Sequence, residues 1–319
     1  MKEPVQSIVF LERNSLPIDF RRPDFLHTWT EYSDSNPQEV VDQLRHATIV
    51  ICNKFKLRRD VLSKLTRLKL IAVAATGVDN IDLDFCRSAQ ITVSNTRGYA
   101  TSSVTEHALM LMLTLRRNLV RYQADVRAGR WTKARQFCLL DHPIGDLKGT
   151  TLGVIGYGKL GQAMAALAQA MGMIIAVAEH KNASAVREGR KAFHEVLRES
   201  DVLTLHCPLM PETVNLIGFD ELKLLKREAI LINTARGGLI DDEALLEALK
   251  NGTIAGAGID VLREEPPASG NLLVEANLSN LIVTPHNAWA SRQAMRTLAD
   301  QVTANLENFV NGRPSNVVV

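Results

Sequence analysis

The sequence predicts an α/β protein of two parallel-sheet domains, and three observations carry that expectation. Short runs rich in β-branched residues alternate with amphipathic stretches from end to end, the pattern of parallel strands joined by crossover helices. The chain has 319 residues, which suits two domains at roughly 150 residues each better than one. The runs also fall into two groups, parted by a helical stretch from Ser103 to about Arg127 and an irregular segment, Trp131 to Lys148, that carries Pro143.

In chain order, strands are expected at 8–11, 49–52, 70–73 and 91–93 in the first group. The second group supplies 152–155, 174–178, 202–205, 230–233, 255–259 and 281–283. Each is four or five residues long at most and built mainly from Ile, Val, Leu and Ala, as buried parallel strands are. Apolar residues at helical spacing mark 38–45, 160–171, 242–250 and 292–311 between and after them. The last helix follows a sheet that is already complete at 283, so either domain can claim it. The segment 1–14 holds Glu3 and only a four-residue apolar run, which reads as a first strand and not as a signal peptide. The most apolar stretch, 108–115, is far shorter than the roughly 20 residues a membrane span needs and reads as a buried helix.

Composition narrows the function. Hydrophobic residues make up 46% and charged residues 23%, enough for real cores, which excludes a disordered or disulfide-stapled chain. The net charge of +2 gives no surplus for nucleic acid, and the pairs Arg21/Arg22, Arg58/Arg59 and Arg116/Arg117 are scattered surface charge. Cys52, Cys86, Cys138 and Cys207 stand singly with no metal-ligand spacing, so they read as reduced, mostly buried thiols of a cytoplasmic protein, and no metal site is expected.

Thr151-Leu-Gly-Val-Ile-Gly156-Tyr-Gly158-Lys159-Leu160-Gly161 is a strand running through GxGxxG into an Ala-rich helix. Gly156 permits the tight turn, Gly158 lets the backbone approach a pyrophosphate, and Gly161 lets helix and strand pack closely. The helix N-terminus adds free N–H groups and the positive end of a dipole. A lone GxGxxG is a weak signal, but here the next strand ends in Glu179, eighteen residues past the last glycine, where a carboxylate accepts ribose hydroxyls. That carboxylate would repel a 2′-phosphate, so NAD is favoured and NADP is the weaker fit. His180 and Lys181 follow at once and temper the preference.

A dinucleotide site needs a partner substrate at the carboxyl ends of the strands. Three such ends carry unusual residues: Arg236 after 230–233, Asp260 to Glu265 after 255–259, and His286 after 281–283. Reduction of a 2-keto acid needs a cation to hold the carboxylate, a proton donor, and a group that keeps the donor charged. The planar fork of Arg236 suits the first, His286 the second, and Glu265 the third. Singly, each is more often a turn or surface residue; the argument lies in their joint placement behind a nucleotide loop. His107 and His206 read as packing residues, and His27, His46, His142, His180 and His194 have no chemical company in sequence.

Together these pieces resemble the D-isomer-specific 2-hydroxyacid dehydrogenase family over nearly the whole length. The resemblance rests on Thr76-Gly-Val-Asp-Asn-Ile-Asp82, Asn95-Thr-Arg-Gly-Tyr, Ser103-Val-Thr-Glu-His-Ala, the glycine loop and His206-Cys-Pro-Leu-Met-Pro-Glu-Thr213. It continues through Asn233-Thr-Ala-Arg-Gly-Gly-Leu-Ile-Asp241, Ala257-Gly-Ile-Asp-Val to Pro267, and Pro285-His-Asn-Ala-Trp289. Phe137-Cys-Leu-Leu-Asp-His-Pro-Ile and Trp289 look most like its glycerate dehydrogenase, or hydroxypyruvate reductase, branch, with Asn287 departing from the branch's usual apolar residue.

The resemblance implies two Rossmann-like domains, with an NAD-binding domain at 101–289 inserted into a discontinuous substrate domain at 1–100 and 290–319. It implies Arg236 as the substrate-binding and catalytic arginine, His286 as acid/base and Glu265 as its partner. Around the cofactor it places Thr105, Lys159, Leu160, Cys207, Pro208, Thr213, Thr234, Ala235 and Arg236, with Asp260 at the nicotinamide amide and His286 beside it. Thr76, Gly77 and Val78 would cradle the substrate carboxylate with backbone N–H groups, beside Arg236, His286 and Trp289. The activity implied is NADH-dependent reduction of hydroxypyruvate to D-glycerate, and of glyoxylate to glycolate, by a homodimer joined through 103–119. The alternatives are another D-2-hydroxy acid, such as lactate or 3-phosphoglycerate with Lys54 and Lys56 on its phosphate, or a non-catalytic NAD-sensing protein of the same fold. No nucleic-acid or membrane partner is implied.

Overall fold

The structure, a computed structural model that describes residues 5–319, divides into two compact units. One runs to Ala100 and takes in Ala290–Val319; the other is Thr101–Trp289. Glu3 and the rest of the first four residues of the expected first strand region lie outside the described residues.

The first unit contains β1 (Gln6–Phe10), β2 (His27–Glu31), α1 (Val40–Leu44), β3 (Ile49–Cys52), α2 (Arg59–Leu62), β4 (Leu70–Val73), α3 (Leu83–Ser88) and β5 (Thr92–Ser94). Its strands form one parallel sheet in the order β2-β1-β3-β4-β5. The edge strand β2 was not expected. His27-Thr-Trp-Thr-Glu31 is partly exposed, pairs on one side only, and so lacks the apolar run that betrays a central strand. β3 and β4 are buried at every position, which is why they read so plainly in sequence.

The second unit contains α4 (Thr101–Arg116), α5 (Leu119–Arg127), β6 (Thr151–Ile155), α6 (Lys159–Ala170), β7 (Ile174–Val177), α7 (Phe193–Glu199) and β8 (Val202–Leu205). It continues with α8 (Phe219–Leu224), β9 (Ile230–Asn233), α9 (Asp242–Lys250), β10 (Gly256–Ile259), α10 (Leu272–Glu275) and β11 (Leu281–Val283). Its parallel sheet runs β11-β10-β9-β8-β6-β7. The single helical stretch expected from Ser103 to Arg127 is two helices. Asn118 between them takes a left-handed φ of 49° and donates its side-chain amide to the Pro143 carbonyl at 2.6 Å. The 108–115 run is not buried throughout either: Ala108, Leu111 and Met112 face the core while Met110 is exposed. Among the described residues, no helix is long and apolar enough to cross a membrane.

The last helix, α11 (Arg292–Val310), packs in the first unit. Ala294, Leu298, Val302 and Leu306 form its buried stripe, and Ser291 caps it by accepting from the Ala294 N–H at 3.1 Å. Buried Asn305 donates to the Asn95 carbonyl at 2.8 Å, and Arg21 forks onto Glu307 at 2.7 and 2.9 Å. The chain end then pairs with β5, Val93 donating to Val319 and Val318 to Val93, each at 2.8 Å. The cysteines are free: Cys52 and Cys86 are buried, and Cys138 and Cys207 are partly buried. Both of the latter lie on loops outside the strands.

Register sets the site. Val177, Val154, Thr204 and Ile232 share a line across the second sheet, which ends at Ile155 beside Leu205, Leu205 beside Asn233, and Asn233 beside Ile259, itself beside Val283. Every loop that leaves this edge therefore leaves on the same side of the sheet.

Candidate functional site

At the β6 end of that edge, Gly156 turns the chain with φ 91°, and a Cβ there would meet the Cys207 nitrogen at 2.5 Å. A Cβ on Gly161 would sit 2.0 Å from the Gly156 carbonyl, so α6 can approach β6 this closely only with glycine. At Gly158 a Cβ would meet nothing within 4 Å: the backbone faces open space where a ligand can come close. The first bond of α6 runs from Gln162 N–H to the Gly158 carbonyl, which leaves the preceding N–H groups at Lys159 and Leu160 at an uncapped helix start. A pocket of about 580 Å³ is lined by Gly156, Gly158, Glu179, Cys207, Pro208 and Thr213, with Tyr157, His180, Arg187 and His206. The loop lies between β6 and β8, where the strand order reverses, the usual place for a dinucleotide in an open parallel sheet.

Glu179, expected to accept ribose hydroxyls, has protein partners of its own in this structure. The side chain is buried and already holds four donors: His180 N–H at 2.9 Å, Arg187 N–H at 3.2 Å, Arg187 Nε at 2.7 Å and Arg187 Nη2 at 2.5 Å. The Arg187 guanidinium, helped by these backbone donors, keeps the carboxyl well below the usual carboxylate range. Sequence gave no sign of Arg187, which reaches back eight residues from an exposed loop. Thr213 also acts locally, accepting from Met210 N–H at 2.7 Å and donating to the Pro208 carbonyl at 2.9 Å. The Thr105 hydroxyl lies 3.0 Å from the Thr101 and Ser102 carbonyls of its own helix. His206, enclosed in the pocket wall with Thr204 Oγ1 at 3.0 Å, has its pKa pushed down to about 4 by burial and is a neutral ring near pH 7. Burial pushes the Cys207 thiol up to about 11.

Farther along the edge, Asn233 closes the turn after β9. Its side chain accepts from Ala235 N–H at 3.0 Å and donates to the Arg236 carbonyl at 2.9 Å, which fixes the backbone that carries the guanidinium. Arg236 is half-buried, with Nη1 donating to the Ala235 carbonyl at 2.7 Å. The neighbouring Thr234 hydroxyl is buried without a hydrogen-bond partner among the described residues, as a ligand-facing group would be. The exposed glycine loop, the open helix start and this orphan hydroxyl together fit a bound dinucleotide.

After β10, Asp260 is buried and its carboxylate gathers the β11 loop. It accepts from Thr284 Oγ1 at 2.6 Å, Asn287 N–H at 3.0 Å and Ala288 N–H at 3.0 Å. His107, expected only to pack, joins this network, its Nε2 lying 3.0 Å from Thr284 Oγ1 and 3.6 Å from the Asp260 carboxylate. The loop so held carries His286 in a left-handed conformation, φ 51°, with its N–H donating to the Asp260 carbonyl at 2.8 Å. His286 Nδ1 meets Glu265 Oε2 at 2.5 Å, and the other Glu265 oxygen accepts from Leu262 N–H at 2.7 Å. The expected pair is thus brought together across 21 residues of chain. Nε2 is left as the ring nitrogen that can face a ligand. Half-buried Trp289 follows on the same loop. His142, thought to lack company, pairs with Asp125 at 2.9 Å and with the Tyr122 ring, away from this edge.

In the first unit, the turn after β4 presents Thr76, Gly77 and Val78, whose N–H groups make no backbone hydrogen bond among the described residues. Thr76 is tied down from both sides, donating its hydroxyl to the Thr96 carbonyl at 2.9 Å and accepting from Asn95 at its carbonyl at 2.8 Å. The N–H groups of Asn53, Lys54 and Phe55, by contrast, all point at one Glu12 oxygen, at 3.2, 3.0 and 2.7 Å. Lys54 and Lys56 are exposed on that loop. The Glu12 anchor was not foreseen, since it joins loops 41 to 43 residues apart.

Residues 109–288 match the family model described as the NAD binding domain of D-isomer specific 2-hydroxyacid dehydrogenases. The chain is 50% identical to glycerate dehydrogenase of Methylorubrum extorquens over 98% of its own length and 99% of the relative's. It is 36% identical to hydroxypyruvate reductase of Blautia hydrogenotrophica, with 88% of each covered. Among solved structures, D-lactate dehydrogenase from Aquifex aeolicus, in complex with NAD and lactic acid, superposes with a TM-score of 0.80 at 28% identity, covering 96% of both chains.

Proposed function

The chain belongs to the D-isomer-specific 2-hydroxyacid dehydrogenase family, and from that premise we propose that it reduces hydroxypyruvate to D-glycerate, and glyoxylate to glycolate, with NADH. The observation that carries the reading is the His286–Glu265 pair at 2.5 Å, held at the same sheet edge as the Gly156–Gly161 loop and Arg236. In this reading 101–289 is the NAD-binding domain, and 1–100 with 290–319 the substrate domain.

The nicotinamide, when bound, supplies the hydride that reaches the keto carbon. Gly156, Gly158, Lys159, Leu160 and Gly161 would hold the pyrophosphate by backbone contact, with Cys207, Pro208 and Thr213 along the pocket and Thr234, Ala235 and Asp260 toward the nicotinamide. Thr105 contributes by keeping its helix in place. Arg236 binds the substrate carboxylate and polarises the carbonyl, because a guanidinium fork matches a carboxylate and stays charged throughout. The Thr76, Gly77 and Val78 N–H groups, in the other unit, are donors of the kind that binds a carboxylate. His286 gives its Nε2 proton to the carbonyl oxygen as charge develops there, while Glu265 at Nδ1 fixes the ring's orientation and offsets its positive charge. The family resemblance puts Trp289 beside the substrate as well.

A homodimer formed through 103–119 is supported by the exposed apolar side chains of Met110 and Leu119 on that stretch; a monomer by light scattering would remove it. The free thiols suit a reducing, cytoplasmic setting. The deciding experiment is a panel of keto acids assayed with NADH and with NADPH. Hydroxypyruvate should be turned over with the highest kcat/KM and NADH should be the better cofactor. No turnover of any small keto acid would instead favour an NAD-sensing protein.

A further inference from the structure

Glu179 is the residue on which a preference for NADH rests, yet it is not a bare carboxylate. A carboxylate offers about four lone-pair directions, and four N–H donors already point at this one. A ribose diol can reach Glu179 only where a donor leaves. Two of the four are backbone N–H groups and stay; the other two belong to the Arg187 guanidinium. The burial of the partners is lopsided, with Glu179 2% exposed and the Arg187 side chain 56% exposed. Glu179 is therefore the fixed member and Arg187 the one free to swing outward.

The charge of the rim points the same way. Arg190 Nη1 lies 3.8 Å from Glu179, and Lys181 is paired with Glu221 at 2.8 Å. Arg187, Arg190 and Lys181 against Glu179, Glu212 and Glu221 leave the pocket rim without net charge, not negative as a lone acid at the strand end suggests. A 2′-phosphate entering here meets a neutralised carboxylate and a guanidinium on a solvent-facing loop, and a guanidinium binds phosphate with two parallel N–H donors.

We propose that Arg187 is the cofactor-selecting residue of this pocket: it covers Glu179 in the free protein, turns aside to let the ribose hydroxyls reach Glu179, and takes the 2′-phosphate of NADPH when that cofactor enters. The chain then uses both cofactors, with NADPH weaker than NADH by no more than about ten-fold. This rests on the dinucleotide reading of the pocket given above.

The test is calorimetric titration of the full chain with NADH and NADPH, and with adenosine 2′,5′-bisphosphate and 5′-AMP as probes that need no turnover. In the unaltered chain the two reduced cofactors should bind within about ten-fold of each other. In Arg187→Ala the ratio of the NADPH Kd to the NADH Kd should rise at least ten-fold, and the bisphosphate should lose more affinity than AMP. Arg187→Lys, which keeps the charge but not the fork, should fall between. A ratio that stays within three-fold of the unaltered chain in Arg187→Ala, or NADPH weaker than NADH by over a hundred-fold in the unaltered chain, overturns the role of Arg187 while leaving the dinucleotide site standing. Failure of either cofactor to bind the unaltered chain overturns both.

Discussion

Two pairs of a carboxylate with a basic side chain sit at opposite ends of one sheet edge, each closed to 2.5 Å: Glu179 with Arg187 after β7, and Glu265, which follows β10, with His286, which follows β11. Their distances are the same and their chemistry is not. Arg187 cannot release a proton in the working pH range, so its pair is a fixed charge arrangement that can only open or close. An imidazole can, so in the proposed reaction this pair hands over a proton. Exposure differs as well. Glu179 is 2% exposed, whereas His286 and Glu265 keep 24% and 31%, enough for a substrate to reach the imidazole. A carboxylate beside a cation is therefore read from the cation's proton chemistry and from what the pair leaves open.

The largest effect that can break this comparison is loss of the proton donor. His286→Ala should lower turnover of hydroxypyruvate by about two decades or more, the size expected for removing a general acid, with the NADH Kd within a few-fold of the unaltered chain. Steady-state kinetics beside a direct cofactor titration checks it. Near-normal turnover would make His286 another structural pair and remove the contrast.

A smaller effect sharpens what positions the donor. Asp260 collects three donors from the β11 loop in a buried place. Asp260→Asn keeps the shape but swaps one acceptor oxygen for an NH₂ group, which sets donor against donor. Leaving one buried donor unsatisfied costs about 1–3 kcal/mol. The variant should unfold at correspondingly lower denaturant and lose turnover mainly in kcat, since the loop it loosens bears His286 and not the glycine loop. An unchanged midpoint together with unchanged kcat would show that the network does not hold the loop.

These residues also show how far sequence carries. The central strands were legible because full burial on both faces leaves runs such as Ile49-Val-Ile-Cys52. The glycine loop was legible because Gly156 and Gly161 answer to steric limits no other residue meets. His286, Glu265 and Arg236 were legible as strand-end residues of the right chemistry, although their joint assembly depends on register. What stayed hidden depends on side chains reaching across loops. Arg187 over Glu179, Glu12 under the 53–55 backbone and His107 on Thr284 leave no periodic trace, since a long side chain can close any of several gaps. The edge strand β2 was hidden for the opposite reason: half solvated, it needs no apolar run.

The smallest effect near neutral pH concerns the wall between the two pairs. His206 follows β8 inside the dinucleotide pocket, and burial lowers its pKa from 6.5 to about 4. The folded value lies below the unfolded one, so protonation favours the unfolded chain. The stability that the neutral ring contributes is fully present above about 6.5 and declines as pH falls toward 4, where the folded protein finally takes up the proton. His206→Gln removes this titration. Its melting temperature should therefore fall less than that of the unaltered chain between pH 6.5 and 4, by several degrees, since a shift from 6.5 to about 4 corresponds to about 3 kcal/mol. The same ring, followed by NMR, should titrate near 4 in the folded protein. A midpoint near 6.5 would place His206 in solvent and open the pocket wall on which the NADH and NADPH comparison depends.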